Sequence, residues 1–238
     1  MKRFLFDIDG TLTDSRQKID PEFEEFMIDF CIVNKVALVT GSDKNKTVEQ
    51  IGEKLFSSVD YSFNCAGNEV WHNNNLIYKT DWTPSEELME YLQQIVNQSK
   101  FSIHTGNHIE LRNGMLNLSI IGRNCTLDQR KEYIQWDKST SERERLQAKI
   151  SARFDYLDVF IGGETGLDIY QKGKNKEQVI DFLKTRENLE KYYYFGDQIF
   201  KNGNDYNIAM RCENRYQVRG WRDTYEILKF LEEVGIVE

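Results

Sequence analysis

Phe4-Leu5-Phe6-Asp7-Ile8-Asp9-Gly10-Thr11-Leu12-Thr13 is an apolar run that delivers two aspartates, one residue apart, to a turn opened by glycine. Residues i and i+2 of a strand share a face, so a strand here sets Asp7 and Asp9 side by side at its end. Two adjacent carboxylates repel unless a cation or a shared proton neutralises them. That cost points to a chemical site, most simply Mg²⁺ with one carboxylate as nucleophile and the other as acid/base. The plain alternative is an acidic strand-to-loop junction that binds nothing.

Outward from this strand, the first third of the chain alternates strands and helices. Asp20-Pro21 reads as a helix cap and first helical residue, with Phe23, Phe26, Met27 and Phe30 following at helical spacing. Val36–Thr40 is a short buried strand, and Asp43 opens a helix whose Val48, Ile51 and Leu55 share a face. Tyr61-Ser62-Phe63 is a third strand, and Asn73-Asn74-Asn75 turns a hairpin between Val70-Trp71 and Leu76-Ile77-Tyr78. Alternation of this kind gives a mostly parallel, doubly wound α/β sheet, in which ligands sit at the carboxyl ends of the strands. Asp7/Asp9 and Thr40-Gly41-Ser42 fall on that one edge.

The middle has another rhythm. A helix over Pro84–Asn97 precedes strands near Phe101–His104, His108–Leu111 and Met115–Ile121. A long helical stretch follows from Thr126 to Phe154, then strands near Val159–Ile161 and Leu167–Tyr170. Adjacent strands with separate helices suggest an inserted α+β cap carrying an antiparallel sheet. The last segment returns to the first pattern, with a helix over Lys176–Lys184, a buried strand Tyr192–Phe195 ending in Gly196-Asp197, a short helix near Asn204 and a final helix over Thr224–Val234. The expected organisation is core 1–81, cap 82–172 and core 173–238.

Composition narrows the functional classes. Of 238 residues, 39% are hydrophobic, enough for a packed core in each half. A net charge of −8 argues against a nucleic-acid or anionic-membrane partner. The apolar runs fall short of the roughly 20 residues a membrane helix needs, and Met1-Lys2-Arg3 leads into a carboxylate-ended strand rather than a signal peptide. Cys31, Cys65, Cys125 and Cys212 are widely spaced, as expected of reduced thiols in a cytoplasmic protein.

Four pieces converge on the strand ends. Asp7 and Asp9 are the first. Gly41-Ser42-Asp43 is the second, with a small hydroxyl and turn N–H groups that suit a phosphoryl oxygen. Lys176, last of a basic run with Lys172 and Lys174, is the third. Gly196-Asp197 with Gly203-Asn204-Asp205 is the fourth, and can complete an oxygen shell for Mg²⁺. Phosphoryl transfer needs in-line attack and neutralised equatorial oxygens. On this reading Asp7 attacks phosphorus, and Asp9 shuttles the proton of the sugar oxygen. Asp7, Asp197 and the Asp9 backbone carbonyl hold Mg²⁺ with Asp205 in support, and Ser42 and Lys176 cradle the phosphate. In the cap, Arg112, Arg123 and Arg130 offer rigid forks to a second phosphate. Arg123 lies just before a helix start at Thr126, and Arg130 lies one turn inside that helix.

The DxDGT motif is that of the haloacid dehalogenase superfamily. Arg112-Asn113-Gly114-Met115-Leu116-Asn117, Ile121-Gly122-Arg123-Asn124-Cys125-Thr126, Phe195-Gly196-Asp197 and Gly203-Asn204-Asp205 resemble, in order, the eukaryotic-type phosphomannomutases. The resemblance implies a Rossmann-like core with an α/β cap, dimerisation through the caps, and interconversion of mannose 6-phosphate and mannose 1-phosphate. It casts Asp7 as nucleophile and Asp9 as acid/base. Arg16, Arg112, Asn117, Arg123, Arg130 and Asp168 become substrate ligands, and Asp197 a metal ligand. A hexose 1,6-bisphosphate is the implied activator. Four positions depart from the pattern: Gly166 stands where the family has serine, Arg211 where it has an acidic residue, Asn175 where it has aspartate, and Ile120 where it has proline. A Mg²⁺-dependent sugar-phosphate phosphatase would use the same carboxylates. A non-catalytic sugar-phosphate-binding protein would not need them.

Overall fold

The computed structural model describes residues 2–188 and 191–237. In chain order the first part comprises β1 (Lys2–Phe6), α1 (Pro21–Val33), β2 (Lys35–Val39), α2 (Lys44–Ser58), β3 (Tyr61–Asn64), β4 (Glu69–His72) and β5 (Asn75–Lys79). The middle comprises α3 (Glu86–Gln98), β6 (Ile109–Arg112), β7 (Met115–Ser119), α4 (Leu127–Thr140), α5 (Glu142–Arg153), β8 (Leu157–Gly162) and β9 (Gly166–Gln171). The last part comprises α6 (Gln178–Arg186), β10 (Lys191–Gly196), α7 (Tyr206–Met210), β11 (Asn214–Gln217) and α8 (Trp221–Glu233).

These strands form two sheets. One has the order β11-β10-β1-β2-β3-β4-β5, parallel from β11 to β3 and antiparallel beyond. Parallel strands are covered on both faces, and alternate residues of β1 show it. Phe4 and Phe6 pack with Phe23, Met27 and Phe30 of α1 and Leu228 and Leu231 of α8. Leu5 faces the opposite layer, with Val179, Ile180 and Leu183 of α6. Aromatic rings bind neighbouring strands, Phe6 stacking on Phe195 at 4.8 Å and Phe195 on Tyr216 at 4.7 Å. The second sheet, β6-β7-β9-β8, is antiparallel throughout and covers a separate core built on Leu116, Leu118, Ile169 and Tyr133. The architecture is a doubly wound α/β core with an inserted α+β cap.

Three local expectations change. Asp7 and Asp9 do not leave one strand side by side, because β1 stops at Phe6 and the chain then turns tightly. The Ile8 carbonyl accepts the amides of Thr11, Leu12 and Thr13 at 2.9–3.1 Å. The stretch 126–154 is two helices, broken at Ser141 in the left-handed conformation (φ 49°). The break is held by Asp137, which accepts both the Arg143 amide (2.8 Å) and its guanidinium (2.7 Å). Phe101–His104 is not a strand, since the Phe101 ring is buried against Tyr133 and Trp136 rather than lying on a sheet edge. The edge strand β11 has no counterpart in the sequence pattern, because its polar, alternately exposed Asn-Arg-Tyr-Gln carries little apolar signal.

Candidate active site

At the carboxyl end of β1, the Asp7 amide donates to the Phe195 carbonyl at 2.9 Å, so the backbone there continues the sheet pairing for one more residue. The Asp7 carboxylate meets Lys176, whose ammonium donates to Asp7 Oδ1 and Asp205 Oδ1, both at 2.7 Å. Asp205 also accepts from Tyr194 Oη (2.5 Å) and the Gln198 amide (3.0 Å). Each carboxylate of Asp7, Asp197 and Asp205 offers an oxygen, and these lie within 4.8 Å of one another. Two glycines make room for the cluster. A Cβ on Gly196 would sit 2.5 Å from Asp205 Oδ2, and one on Gly10 (φ +77°) would sit 2.8 Å from Asp197 Oδ2.

The charge balance explains the titration behaviour. Burial, with Asp205 and Asp197 nearby, raises the Asp7 carboxyl well above its ordinary value against the pull of Lys176. Burial and the Asp205 charge push Asp197 up to about 7. Burial disfavours the Lys176 ammonium, yet Asp205 and Asp7 outweigh it and hold the lysine charged. Three carboxylates against one ammonium leave a deficit of two positive charges in an all-oxygen donor set. That is the demand a hard divalent cation such as Mg²⁺ meets. The residues therefore fit the metal that the sequence implies.

Asp9 faces elsewhere. Its carboxylate accepts the Arg16 amide at 2.8 Å and Gln50 Nε2 at 2.9 Å, and it lies outside the three-carboxylate cluster found among the described residues. Burial raises its carboxyl, but Lys46 and these two hydrogen bonds outweigh that and lower it. Of the metal ligands expected from sequence, Asp9 is thus the one whose side chain does not join the others. Ser42 is buried, its amide donating to Thr40 Oγ1 at 3.1 Å.

The cap closes over these groups. Arg112 donates to the Gly41 carbonyl at 2.6 Å and pairs with Glu110 at 2.6 Å. Arg130 donates to Ser15 Oγ at 3.1 Å, to Thr165 Oγ1 at 3.1 Å and to Glu164 at 2.8 Å. Arg123 pairs with Glu110 at 3.0 Å and donates to Asn117 Oδ1. Asn117 Nδ2 donates to Asp168 at 2.7 Å, and Asn204 of the core donates to the other Asp168 oxygen at 3.1 Å. One cavity of about 60 Å³ is lined from both sides by Asp7, Asp9, Arg112, Arg123, Arg130 and Asp168. Arg16, Ser42, Asn117 and Asp197 also line it. Lys176 and Asp205 stand behind Asp7.

The profile described as "Eukaryotic phosphomannomutase" matches residues 23–233. The chain belongs to the eukaryotic phosphomannomutase family. A phosphomannomutase of Dendrobium officinale is 35% identical over 212 residues, covering 86% of this chain and 83% of its own. One of Encephalitozoon cuniculi is 34% identical over 243 residues, covering 98% and 94%. Solved structures of related fold include an IMP-nucleotidase of Plasmodium falciparum (TM-score 0.67, 16% identity, 98% and 68% of the two chains). A subclass IIB sugar phosphatase of the haloacid dehalogenase superfamily aligns over 100% of both chains (TM-score 0.61, 16% identity). This phosphomannomutase-family chain is accordingly an enzyme, and it shares the fold of those solved structures.

The four departures have local accounts. A Cβ on Gly166 would lie 2.8 Å from Asn117 Nδ2, so the Asn117 amide fills the space beside it. Arg211 pairs with both oxygens of Asp181 at 2.5 and 2.7 Å, tying the end of α7 to α6. Asn175 donates to Asp158 at 2.9 Å and accepts the Glu177 amide at 2.9 Å. Ile120 is buried in the cap core.

The sequence reading does not single out Ser15, Lys46, Glu164 or Thr165, which line the cavity, or Gln50, which lies beside it. Gln50 supports Asp9, and Lys46 lines the cavity. Lys46 lies in the first turn of α2, three residues after the Asp43 cap, and nothing in the local sequence marks which way its side chain turns. Burial and the repulsion of Arg112, Arg123 and Arg16 lower the Lys46 ammonium to about 8, against the attraction of Asp9.

Proposed function

We propose that this enzyme interconverts mannose 6-phosphate and mannose 1-phosphate through a phosphorylated Asp7 and a hexose bisphosphate. The observation that carries the reading is the two-sided cavity. Core carboxylates able to exchange a phosphoryl group face cap guanidiniums able to hold another. In the first half-reaction, the hexose oxygen takes the phosphoryl group from Asp7, breaking the Asp7 Oδ–P bond, while Asp9 accepts the hydroxyl proton. The bisphosphate then presents its other phosphate. Asp7 Oδ attacks that phosphorus, the sugar O–P bond breaks, and Asp9 returns the proton to the sugar oxygen. Bound Mg²⁺, held by Asp7, Asp197 and Asp205 with the Asp9 carbonyl, would neutralise phosphate charge. Ser42 and Lys176 serve the transferring phosphate. Arg16, Arg112, Arg123 and Arg130 serve the distal phosphate and sugar, with Asn117 and Asp168 on the hydroxyls. Closure of the cap, residues 82–172 in this reading, excludes the water that would hydrolyse phospho-Asp7. A cytoplasmic dimer joined through the caps completes the proposal, and sedimentation tests the dimer.

A coupled assay of mannose 1-phosphate conversion, with Mg²⁺ and with or without glucose 1,6-bisphosphate, tests the function. Bisphosphate-dependent isomer formation is expected. Release of inorganic phosphate with no isomer formed would replace the mutase by the sugar phosphatase of the same chemistry. Hexose phosphate binding with no turnover would replace it by a binding protein.

A further inference from the structure

Gln50 is buried on α2, two residues before Gly52 leaves the helical conformation at φ 79° and ψ 155°. Its side-chain Nε2 donates to Asp9 Oδ1 at 2.9 Å and to Thr13 Oγ1 at 3.4 Å, and its backbone carbonyl accepts the Ile19 amide at 2.8 Å. One residue therefore grips both ends of the loop that presents Asp9, Ser15 and Arg16 to the reaction cavity. Gln50 itself does not line that cavity. We propose that Gln50 is a positioning residue for Asp9: with the Arg16 amide it fills Oδ1, so that Oδ2 is the oxygen that exchanges the sugar-hydroxyl proton. The inference rests on the reading given above, in which Asp9 carries that proton.

The two carboxylate oxygens of Asp9 are unequal. Both of its donors, the Arg16 amide at 2.8 Å and Gln50 Nε2 at 2.9 Å, meet Oδ1, and among the described residues Oδ2 accepts no hydrogen bond. The donors come from different elements, one from the loop after β1 and one from α2. Turning the carboxylate about its Cβ–Cγ bond would break both, so together they fix its plane and leave Oδ2 open for chemistry. An acid/base group must be held in place to act, because proton transfer depends on geometry before it depends on affinity for the proton.

The glutamine amide is oriented by charge. Turned over, it would set Oε1 against the Asp9 carboxylate, acceptor to acceptor. As placed, Oε1 is buried with no partner among the described residues. An unpaired buried oxygen carries a cost that an apolar side chain of equal length, such as methionine, would not. Packing alone therefore does not account for an amide here, whereas its donor on Asp9 does. Two neighbouring bonds do not depend on the Gln50 side chain: the Arg16 amide to Asp9, which holds Arg16 in the left-handed conformation (φ 61°), and the Ile19 amide to the Gln50 carbonyl. Loss of the side-chain donor should thus free the Asp9 carboxylate while the loop that carries Arg16 stays in place.

Steady-state kinetics on the full chain, with mannose 1-phosphate, Mg²⁺ and glucose 1,6-bisphosphate, compare the wild type with Gln50→Met, Gln50→Glu and Thr13→Val. Gln50→Met should lower kcat by about tenfold or more, part of the roughly 10²–10⁴-fold that a placed acid/base supplies, while KM changes less than about twofold. Gln50→Glu keeps the shape but replaces the donor by an acceptor, and should lose at least as much kcat as Gln50→Met. Thr13→Val removes only the longer contact of Gln50 and leaves Asp9 both its donors, so it should lose far less kcat than either. A smaller loss of kcat in Gln50→Met, or Gln50→Glu closer to the wild type than Gln50→Met, overturns the positioning role. So does a rise in KM that matches the fall in kcat, or an equal loss in Thr13→Val, since either would reduce Gln50 to holding the loop. A wild type that releases inorganic phosphate but forms no isomer overturns the mutase reading instead. The same comparison of kcat with KM is then read on phosphate release, so the two failures are separable.

Discussion

Asp7 is a buried carboxylate between a lysine and two further carboxylates, and its removal separates chemistry from stability. Asp7→Asn should lower kcat by about 10⁴-fold or more, the scale on which losing a covalent nucleophile slows an enzyme. Lys176 keeps Asp205 as partner, and one of three repelling charges disappears. The metal-free variant should then melt no lower than the metal-free wild type; a lower Tm would show that the Asp7–Lys176 pair outweighs the repulsion. Asp197 gives the pH dependence. Its folded value, about 7, lies above the ordinary carboxylate value near 3.9, so between those limits the folded state binds more protons than the unfolded state. Stability of the chelated protein should fall as pH rises from about 4 to about 7 and level off above. Mg²⁺ competes with the proton for these oxygens, so its added Tm should be larger at pH 8 than at pH 5. Melting curves with EDTA and with Mg²⁺ at both pH values decide this, and an equal Mg²⁺ effect at both would remove Asp197 from the cation site.

At the scale of elements, function depends on where strands stop and helices start. Helix α2 begins beside the cavity, with Asp43 capping it and Lys46 in its first turn. Asp43→Ala should destabilise the protein by about 1 kcal/mol, the usual worth of such a cap. It should also raise KM for the hexose phosphate, because Lys46 loses its fixed backbone; an unchanged KM would limit Asp43 to a structural role. The same elements show what sequence could reveal. Asp20-Pro21 and Asp43 announced α1 and α2 because cap chemistry is local, and β1, β2 and β3 were legible because parallel strands are uniformly apolar. The break at Ser141 was hidden because charged residues fill both sides of it, so no periodicity changes there. Phe101 read as strand because an aromatic on a helix-covered loop and one on a sheet carry the same hydropathy. Asp7, Asp197 and Lys176 were legible through their positions at strand and helix ends. Lys46 and Gln50 are not, since Lys46 gains its place where the cap brings Arg112 and Arg123 down onto the Asp9 side of the core, and Gln50 meets Asp9 only through the packing of α2 on the loop after β1.

At the scale of the whole molecule, the proposed reaction needs a cap that closes to exclude water and opens to exchange sugars, and one buried side chain joins both chain crossings. Asn68 Oδ1 accepts from Thr80 Oγ1 at 2.9 Å on the outgoing crossing, and its Nδ2 donates to the Lys174 carbonyl at 2.8 Å on the return. The cap turn at Gly114 packs on it so closely that a Cβ there would lie 2.7 Å from the Asn68 Cβ. Across the cleft, Ile161 of β8 exchanges two backbone hydrogen bonds with the loop carrying Asp205, Ile161 N to Asn202 O at 3.0 Å and Asn204 N to Ile161 O at 3.1 Å. The cap is thus tied to the core at two places, Asn68 as pivot and Ile161 as latch, and the latch touches the loop that bears Asp205. Asn68→Ala removes both pivot bonds, and the bond from Nδ2 to the Cys65 carbonyl at 2.8 Å, without touching the reaction cavity. Each lost hydrogen bond costs about 1 kcal/mol, so the variant should fold with a lower Tm. A looser cap admits water to phospho-Asp7, so inorganic phosphate released per isomer formed should rise severalfold while Mg²⁺ affinity stays the same. Phosphate release and isomer formation measured together in one assay decide the point: a fall in both rates at a constant ratio would show that Asn68 only stabilises the fold, and that closure is governed at the Ile161 latch.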